Sequence, residues 1–282
     1  MNGKIPISIM CVFLGAHLMA DELFKVSESM TVQKPAELTG EPIAVNPGKK
    51  YQIAISASAT GEQTIEENAR VRIVSQKGST GRVRVEFLDK GGAKIADFGI
   101  GILSQEMRDY VSVLYPPENA AGMKLYLEPA KSQQISLGKA AVSQDISGKE
   151  KEAVNPHPTF EFGDLNCYGY QTGFGGGFYQ RPDGKTVLNT GFTGLSPAFP
   201  VKGNTYYDVR ALGLAHLGRR SSMMMQCFKA QDASPIKSMR VNIGENGETT
   251  RLLMPPEAVR ANFLFYYVII EELSVTESTN QK

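Results

Sequence analysis

Val45-Asn46-Pro47-Gly48-Lys49-Lys50-Tyr51-Gln52-Ile53-Ala54-Ile55 is a turn followed by a strand. Pro47 and Gly48 punctuate the chain, and Tyr51, Ile53 and Ile55 then alternate with Gln52 and Ala54. A period of two sets one apolar row on one face of a sheet. The stretch returns at Val201-Lys202-Gly203-Asn204-Thr205-Tyr206-Tyr207-Asp208-Val209, with the same spacing from valine to second-copy tyrosine and the glycine displaced by one residue. A second echo follows in the same order. Pro116-Pro117-Glu118 leads to Leu125, and Pro255-Pro256-Glu257 leads to Leu264 at equal spacing from the glutamate. Two ordered markers read as one fold written twice.

The rest of the chain agrees with strands. Arg82-Val83-Arg84-Val85-Glu86-Phe87 puts its valines and phenylalanine inside and its charges in water. Asp89-Lys90-Gly91-Gly92 and Glu245-Asn246-Gly247 read as hairpin turns. The strand from Tyr110 to Tyr115 stops at Pro116 and Pro117, which cannot donate to a central ladder. Further strands are expected at Arg70 to Val74, Lys94 to Ile102, Ile135 to Val142, Tyr206 to Leu214, Ser222 to Phe228, Phe263 to Ile270 and Leu273 to Thr276. No amphipathic helix is evident. Short strands at regular spacing, with Gly and Pro between them, predict an all-β chain of two tandem antiparallel β-sandwich domains, 21–145 and 155–282. The linker, 146–154, carries Lys149-Glu150-Lys151-Glu152, which reads as a solvated spacer.

A chain of 282 residues fits two domains, 41% apolar and 21% charged, which is ordinary for globular protein. Each half, at about 130 residues, buries roughly two thirds of its unfolded surface and needs neither metal nor disulfide to fold. A formal net charge of +1 attracts no phosphate backbone and argues against a nucleic-acid partner. Residues 1–20 resemble an export signal: Lys4, an apolar run from Ile5 to Leu18, and Ala20 before the cut, which predicts an exported protein. No later run is long and apolar enough to span a bilayer. Export leaves Cys167 and Cys227, either bridged or free; Cys227 falls in the inward alternation with Met223 and Met225. Gly173 to Gly177 is no phosphate cradle, because no Gly-Lys-Ser/Thr and no helix follows; it reads as a loop lying close to the sheet. No His/Cys cluster has zinc spacing. Glu161 and Asp164 would serve glycoside hydrolysis only if a fold set two carboxylates at ~5–10 Å across a cleft, and the chain is read as non-catalytic.

Asn155-Pro156, Phe160-Glu161 and Gly163 resemble the opening of jelly-roll carbohydrate-binding modules of the galactose-binding-like fold. The Val201 to Val209 stretch and the close at Ile269-Ile270-Glu271-Glu272-Leu273-Ser274-Val275 are similar to that family too. So is the first unit from Val45 on, with Phe87-Leu88-Asp89 and Gly91-Gly92 at a strand and its hairpin. The resemblance implies a glycan or cell-surface partner, bound by Tyr168, Tyr170, Phe174, Phe178 and Tyr179 with Arg181 as polar partner. It also implies a structural calcium held by Glu161 and Glu272, with Glu271 as substitute. The family commonly has a tryptophan near Tyr168 and Tyr170, and this chain has none. Two rings at ~1 kcal/mol each fall short of the ~8 kcal/mol of micromolar binding, so the implied recognition is weak. The alternative is a structural or adhesive envelope protein without a sugar ligand.

Overall fold

The structure, a computed structural model, describes residues 22–279 apart from 61–63, 69–70, 76–80, 145, 165, 174, 216–220 and 231–233. The export signal lies outside the described residues.

The first unit holds β1 (Glu22–Val26), β2 (Met30–Val32), β3 (Ala36–Glu37), β4 (Ile43–Ala44), β5 (Tyr51–Ala59), β6 (Thr64–Asn68), β7 (Val71–Ser75), β8 (Arg82–Leu88), β9 (Lys94–Gly101), β10 (Arg108–Leu114), β11 (Gly122–Glu128) and β12 (Ile135–Ser143). One sheet runs β1-β12-β5-β10, with β2 also on β12, and the facing sheet runs β3-β11-β8-β9, with β4 also on β11. β6 and β7 form a separate antiparallel pair. All ladders are antiparallel. Tyr51, Ile53 and Ile55 from one sheet meet Val85, Phe87 and Leu125 from the other in a single buried cluster. Each such side chain contributes about 1.5–3 kcal/mol by leaving water.

A short helix, α1 (Gly148–Glu152), follows. The second unit holds β13 (Gln171–Thr172), β14 (Gly177–Gln180), β15 (Thr186–Asn189), β16 (Gly194–Leu195), β17 (Phe199–Pro200), β18 (Tyr206–Ala215), β19 (Ser222–Phe228), β20 (Lys237–Val241), β21 (Glu248–Leu253), β22 (Arg260–Tyr266) and β23 (Val268–Glu277). Its sheets are β13-β16-β22-β19-β20, with β17 on β22, and β14-β15-β23-β18-β21. A second core fills between them, built on Tyr207, Val209, Met223, Met225, Phe263 and Val275.

The two sandwiches match residue by residue. The Tyr51 hydroxyl accepts from the Asn46 N–H at 2.8 Å, and the Tyr207 hydroxyl accepts from the Lys202 N–H at 3.0 Å. Each ring thus ties its own strand to the turn five residues back. Leu114 lies opposite Tyr51, and Leu252 opposite Tyr207. The ladders β5–β12 and β18–β23 both skip one residue at the same place, Gly138 in the first and Glu271 in the second. The second echo aligns the strands but slips by one. The Ala120 N–H closes on the Pro117 carbonyl and the Ala258 N–H on the Pro255 carbonyl, both at 3.0 Å. Counted from those turns, Leu125 corresponds to Phe263, not Leu264. Leu125 and Phe263 are both fully buried, whereas Leu264 points outward. A slip of one residue exchanges the two faces of a strand.

Four other expectations change. The strand expected from Phe263 to Ile270 is two strands in different sheets. The chain crosses between them at Tyr267, whose φ is +50°, a rare conformation for a bulky residue. Glu245-Asn246-Gly247 turns as expected, with Gly247 at φ +78°, but it joins β20 in one sheet to β21 in the other and is no hairpin. The loop expected from Gly173 to Gly177 is flanked by two strands that were not expected, β13 before it and β14 beginning at Gly177. The charge run forms α1; Lys149, Lys151 and Glu152 stay exposed as expected, but Glu150 turns inward and is only 4% exposed.

That last difference shapes the molecule, because the linker binds both sandwiches. Lys50, just before β5, donates to the Glu150 carboxylate at 2.8 Å and to the carbonyls of Glu150, Ala153 and Asn155. The remaining Glu150 oxygen accepts from the His157 N–H at 2.8 Å. From the linker the Val154 N–H donates to the Val275 carbonyl and Lys149 pairs with Glu272, both on β23; the Asn155 side chain, just beyond the linker, accepts from the Val275 N–H and donates to the Leu273 carbonyl. On the other side β10 is an edge strand, and exposed edges recruit foreign strands. Here its N–H groups are taken by side chains: Val111 donates to Asn166 Oδ1 at 2.7 Å and Val113 to His157 Nε2 at 3.0 Å.

Candidate functional site

The ring candidates separate into two groups. Tyr168 is 1% exposed, its hydroxyl donates to the Gly163 carbonyl at 2.8 Å, and burial pushes that hydroxyl's pKa up. It packs with Phe160, Tyr170 and Phe178 in one ring cluster with centroids 4.5–6.0 Å apart, edge-to-face except for the tilted Tyr168–Phe178 pair. Tyr168 therefore belongs to the core, and Tyr170 and Phe178 are half-buried against it. No glycan can reach the Tyr168 face without unpacking the sandwich. Tyr179 alternates outward from Phe178 beside Arg181. Arg181 is ion-paired with Glu271 and Asp183, so its guanidinium serves the protein's own carboxylates. Phe174 lies outside the described residues. The glycine-rich loop lies close to its neighbour, as expected: a Cβ on Gly176 would meet the Thr190 carbonyl oxygen at 2.9 Å.

The residues expected to hold calcium do not fit it. The Glu272 carboxylate is held by Lys149 at 2.5 Å and Arg210 at 3.3 Å, and Glu271 by Arg181 and Lys185. Glu161 is exposed. Among the described residues no three His, Cys, Asp or Glu side chains gather as a metal site. Calcium wants six to eight oxygens, and the Glu271 and Glu272 carboxylates are already neutralised by cations. Cys167 and Cys227 are both free. Cys227 is buried in the second core, as the alternation predicted, and burial pushes its thiol pKa up to about 11.

The residue-by-residue match singles out a surface that the sequence reading missed: the outward face of β22-β19-β20. Its counterpart on β11-β8-β9 is charged and internally paired. Arg84 donates to Glu128 at 2.5 Å, pairs with Glu86 and lies 4.2 Å over the Tyr126 ring. Arg82 donates to the same Glu128 at 2.8 Å, and Lys124 to Glu37 at 2.7 Å. Burial alone would raise the Glu128 pKa, but the hydrogen bonds from Arg84 and Arg82 outweigh it and hold the carboxyl below its usual range. A cleft of about 570 Å³ beside this face is lined by Arg82, Gly99, Gly101 and Glu128, and its charged groups are that same pair.

In the second sandwich six of these charged positions carry neutral groups, while Arg240, opposite Met224, and Arg260, over the Phe228 ring, bring charge to other positions of the face. The registers place Ser222 where Arg82 stands, Met224 for Arg84, Gln226 for Glu86, Asn262 for Lys124, Ser238 for Asp97 and Tyr266 for Glu128. Asn262, Gln226 and Ser238 lie directly opposite one another across three strands. Their side chains have no hydrogen-bond partner among the described residues. The Asn262 Oδ1 atom is shielded from solvent and still unpaired. An unpaired buried acceptor costs about 1–3 kcal/mol, which a ligand donor would recover once the Asn262 side chain turns its oxygen outward. The adjoining row runs Leu264–Met224–Arg240, two apolar side chains followed by an exposed guanidinium. The face ends at Tyr267, where Phe192, 56% exposed, stands edge-on at 5.4 Å from the Tyr267 ring. One signal for these residues was present in the sequence: Gln226 alternates with Met225 and Cys227 and so had to face out. The pairing that makes it a site needed the register.

No protein-family model matches the chain, and no curated protein does. Among solved structures, a tandem CBM22-1–CBM22-2 pair from Paenibacillus barcinonensis Xyn10C aligns over 93% of this chain and 98% of its own, at 10% identity and a TM-score of 0.33. A fucolectin from Morone saxatilis serum covers 82% of this chain and 80% of its own, at 10% identity and a TM-score of 0.25. The Clostridium perfringens ZmpB structure, an M60 catalytic domain with two CBM51 domains, covers 89% of this chain and 34% of its own, at 10% identity and 0.22. At such scores the fold rests on the strand pairing itself, which is all-β, antiparallel and duplicated.

Proposed function

We propose that the chain is an exported, non-catalytic carbohydrate-binding protein. In this reading the second sandwich recognises a glycan on the outward face of β22-β19-β20, at a neutral polar row flanked by Arg240. The observation that carries it is the row Asn262–Gln226–Ser238, with the shielded Asn262 Oδ1 unpaired. A neutral sugar offers hydroxyl donors and acceptors along its edge and C–H groups on its face. The amide row matches the first, and Met224, Leu264 and the exposed Phe192 ring match the second. The first sandwich, whose outward charges already pair with one another, acts as a rigid support. Recognition is weak, since three neutral hydrogen bonds at ~1 kcal/mol each stay below the micromolar range.

The test is a glycan array probed with residues 21–282, followed by calorimetry on any hit. Gln226→Ala and Asn262→Ala should each weaken binding about tenfold, while Arg84→Ala in the first sandwich leaves affinity unchanged. Silence across plant, microbial and host glycans rejects the reading in favour of a structural or adhesive protein.

A further inference from the structure

We infer that the junction between the two sandwiches is an acid-sensitive latch, with His157 as its proton-responsive part. His157 is fully buried, and its backbone is held at φ +54°, a conformation a non-glycine residue rarely keeps without outside support. Its Nε2 atom accepts the Val113 N–H at 3.0 Å, which spans from the second unit's opening segment to the edge strand of the first. As an acceptor, Nε2 carries no proton, so the proton of the neutral ring sits on Nδ1. That atom is buried without a hydrogen-bond partner among the described residues, and the ring stands edge-on to Tyr168 at 4.9 Å. A second proton has one place to go, Nε2, and there it faces another N–H. Protonation and the Val113 hydrogen bond exclude each other.

The groups around the ring oppose protonation. Lys50 reaches in from the start of β5, and its charge, after burial itself, holds the imidazole down to about 3. From α1, Glu150 is turned away from the ring: one oxygen takes Lys50 and the other the His157 backbone N–H. Tyr168 and Phe162 present rings, Tyr115 donates to the Val154 carbonyl, and Cys167 contributes its backbone carbonyl to Ser112. Glu161 lies near enough to raise Glu150 further, after burial. The signs are these. His157, depressed from 6.5 to about 3, contributes stability above pH 6.5 that is lost as pH falls towards 3. Glu150, raised from 4.5, acts the other way and is not the source of opening. If the open junction exposes His157 to water, the open fraction grows about tenfold per pH unit through that window.

Acid therefore frees the second sandwich from the β10 edge while each core stays folded. Amide hydrogen exchange from pH 7.5 to 4 on the whole chain tests this. The Val113 protection factor should fall by about tenfold per pH unit below 6.5, while amides of Ile53 and Val209 in the two cores remain protected. His157→Gln retains an acceptor and cannot titrate, so Val113 should lose that pH dependence. Unchanged Val113 protection at pH 4, or equal pH dependence in His157→Gln, overturns the latch. Should that variant fail to fold, ¹⁵N shifts of the His157 imidazole in the wild-type chain decide. Protonation in step with Val113 opening supports the latch, and a neutral ring in the opened state overturns it.

Discussion

The outward faces of β11-β8-β9 and β22-β19-β20 occupy the same place in the two sandwiches and have opposite chemistry. Behind them the same positions are filled by interchangeable apolar side chains: Val85 for Met225, Leu125 for Phe263, Phe98 for Met239. In front, Arg84, Glu86 and Lys124 give way to Met224, Gln226 and Asn262. Burial constrains the inner row to apolar volume, because each unfilled methylene costs the core. The outer row only has to stay solvated or paired, so it is free to change. Copies of one fold thus keep their interiors and part company on their surfaces, and function is to be sought where they part.

The largest effect should come from the shared interior. Phe263→Ala removes a fully buried ring from the second core and should cost about 3–5 kcal/mol; Leu125→Ala, its counterpart, about 2–5 kcal/mol. Chemical denaturation followed separately in the two sandwiches would sharpen the comparison. With the linker bound to both, destabilising either one should lower the midpoint of the other. Two independent transitions would show that the junction transmits nothing.

An intermediate effect is expected at the paired tyrosines. Tyr51→Phe and Tyr207→Phe each leave a backbone N–H, of Asn46 or Lys202, without its acceptor. Each should cost about 1 kcal/mol, and the two should be nearly equal. Tyr51 also accepts from the Gln144 side chain at 2.9 Å, so any inequality should run towards a greater loss in the first sandwich. Thermal midpoints of the two variants check this.

How far the sequence revealed these features follows from what a period of two encodes. Alternation marks a buried row, so Tyr51, Val85, Met225 and Cys227 were readable as core, and so was the duplication. It does not say which strand lies beside which. The neutral row across β22-β19-β20 depends on pairings between Asn262, Gln226 and Ser238, residues 12 to 36 apart in sequence. Tyr168 was misread for a related reason: aromatic residues in a glycine-rich segment have no period, so exposed and buried rings look alike. Lys149-Glu150-Lys151-Glu152 has the composition of a spacer, and only the distant Lys50 makes Glu150 an interior residue. His157 was a lone histidine until the edge of β10 was placed against it.

The smallest effect should come from the charged face itself. Arg82 is half-exposed, and its partner Glu128 keeps a second and better-buried cation in Arg84. Arg82→Ser, which installs the residue found at the matching place in the second sandwich, therefore strands no carboxylate. Its cost should stay below about 1 kcal/mol and shrink further in salt, because an exposed ion pair in water offers little. Arg84→Met installs the matching second-sandwich residue instead and should cost more, since it removes the cation over Tyr126 and the better-buried partner of both Glu86 and Glu128. If Arg82→Ser proved the more damaging of the two, the face would not be a self-paired network centred on Arg84. The contrast between a paired charged face and the unpaired row Asn262–Gln226–Ser238 would then lose its physical basis.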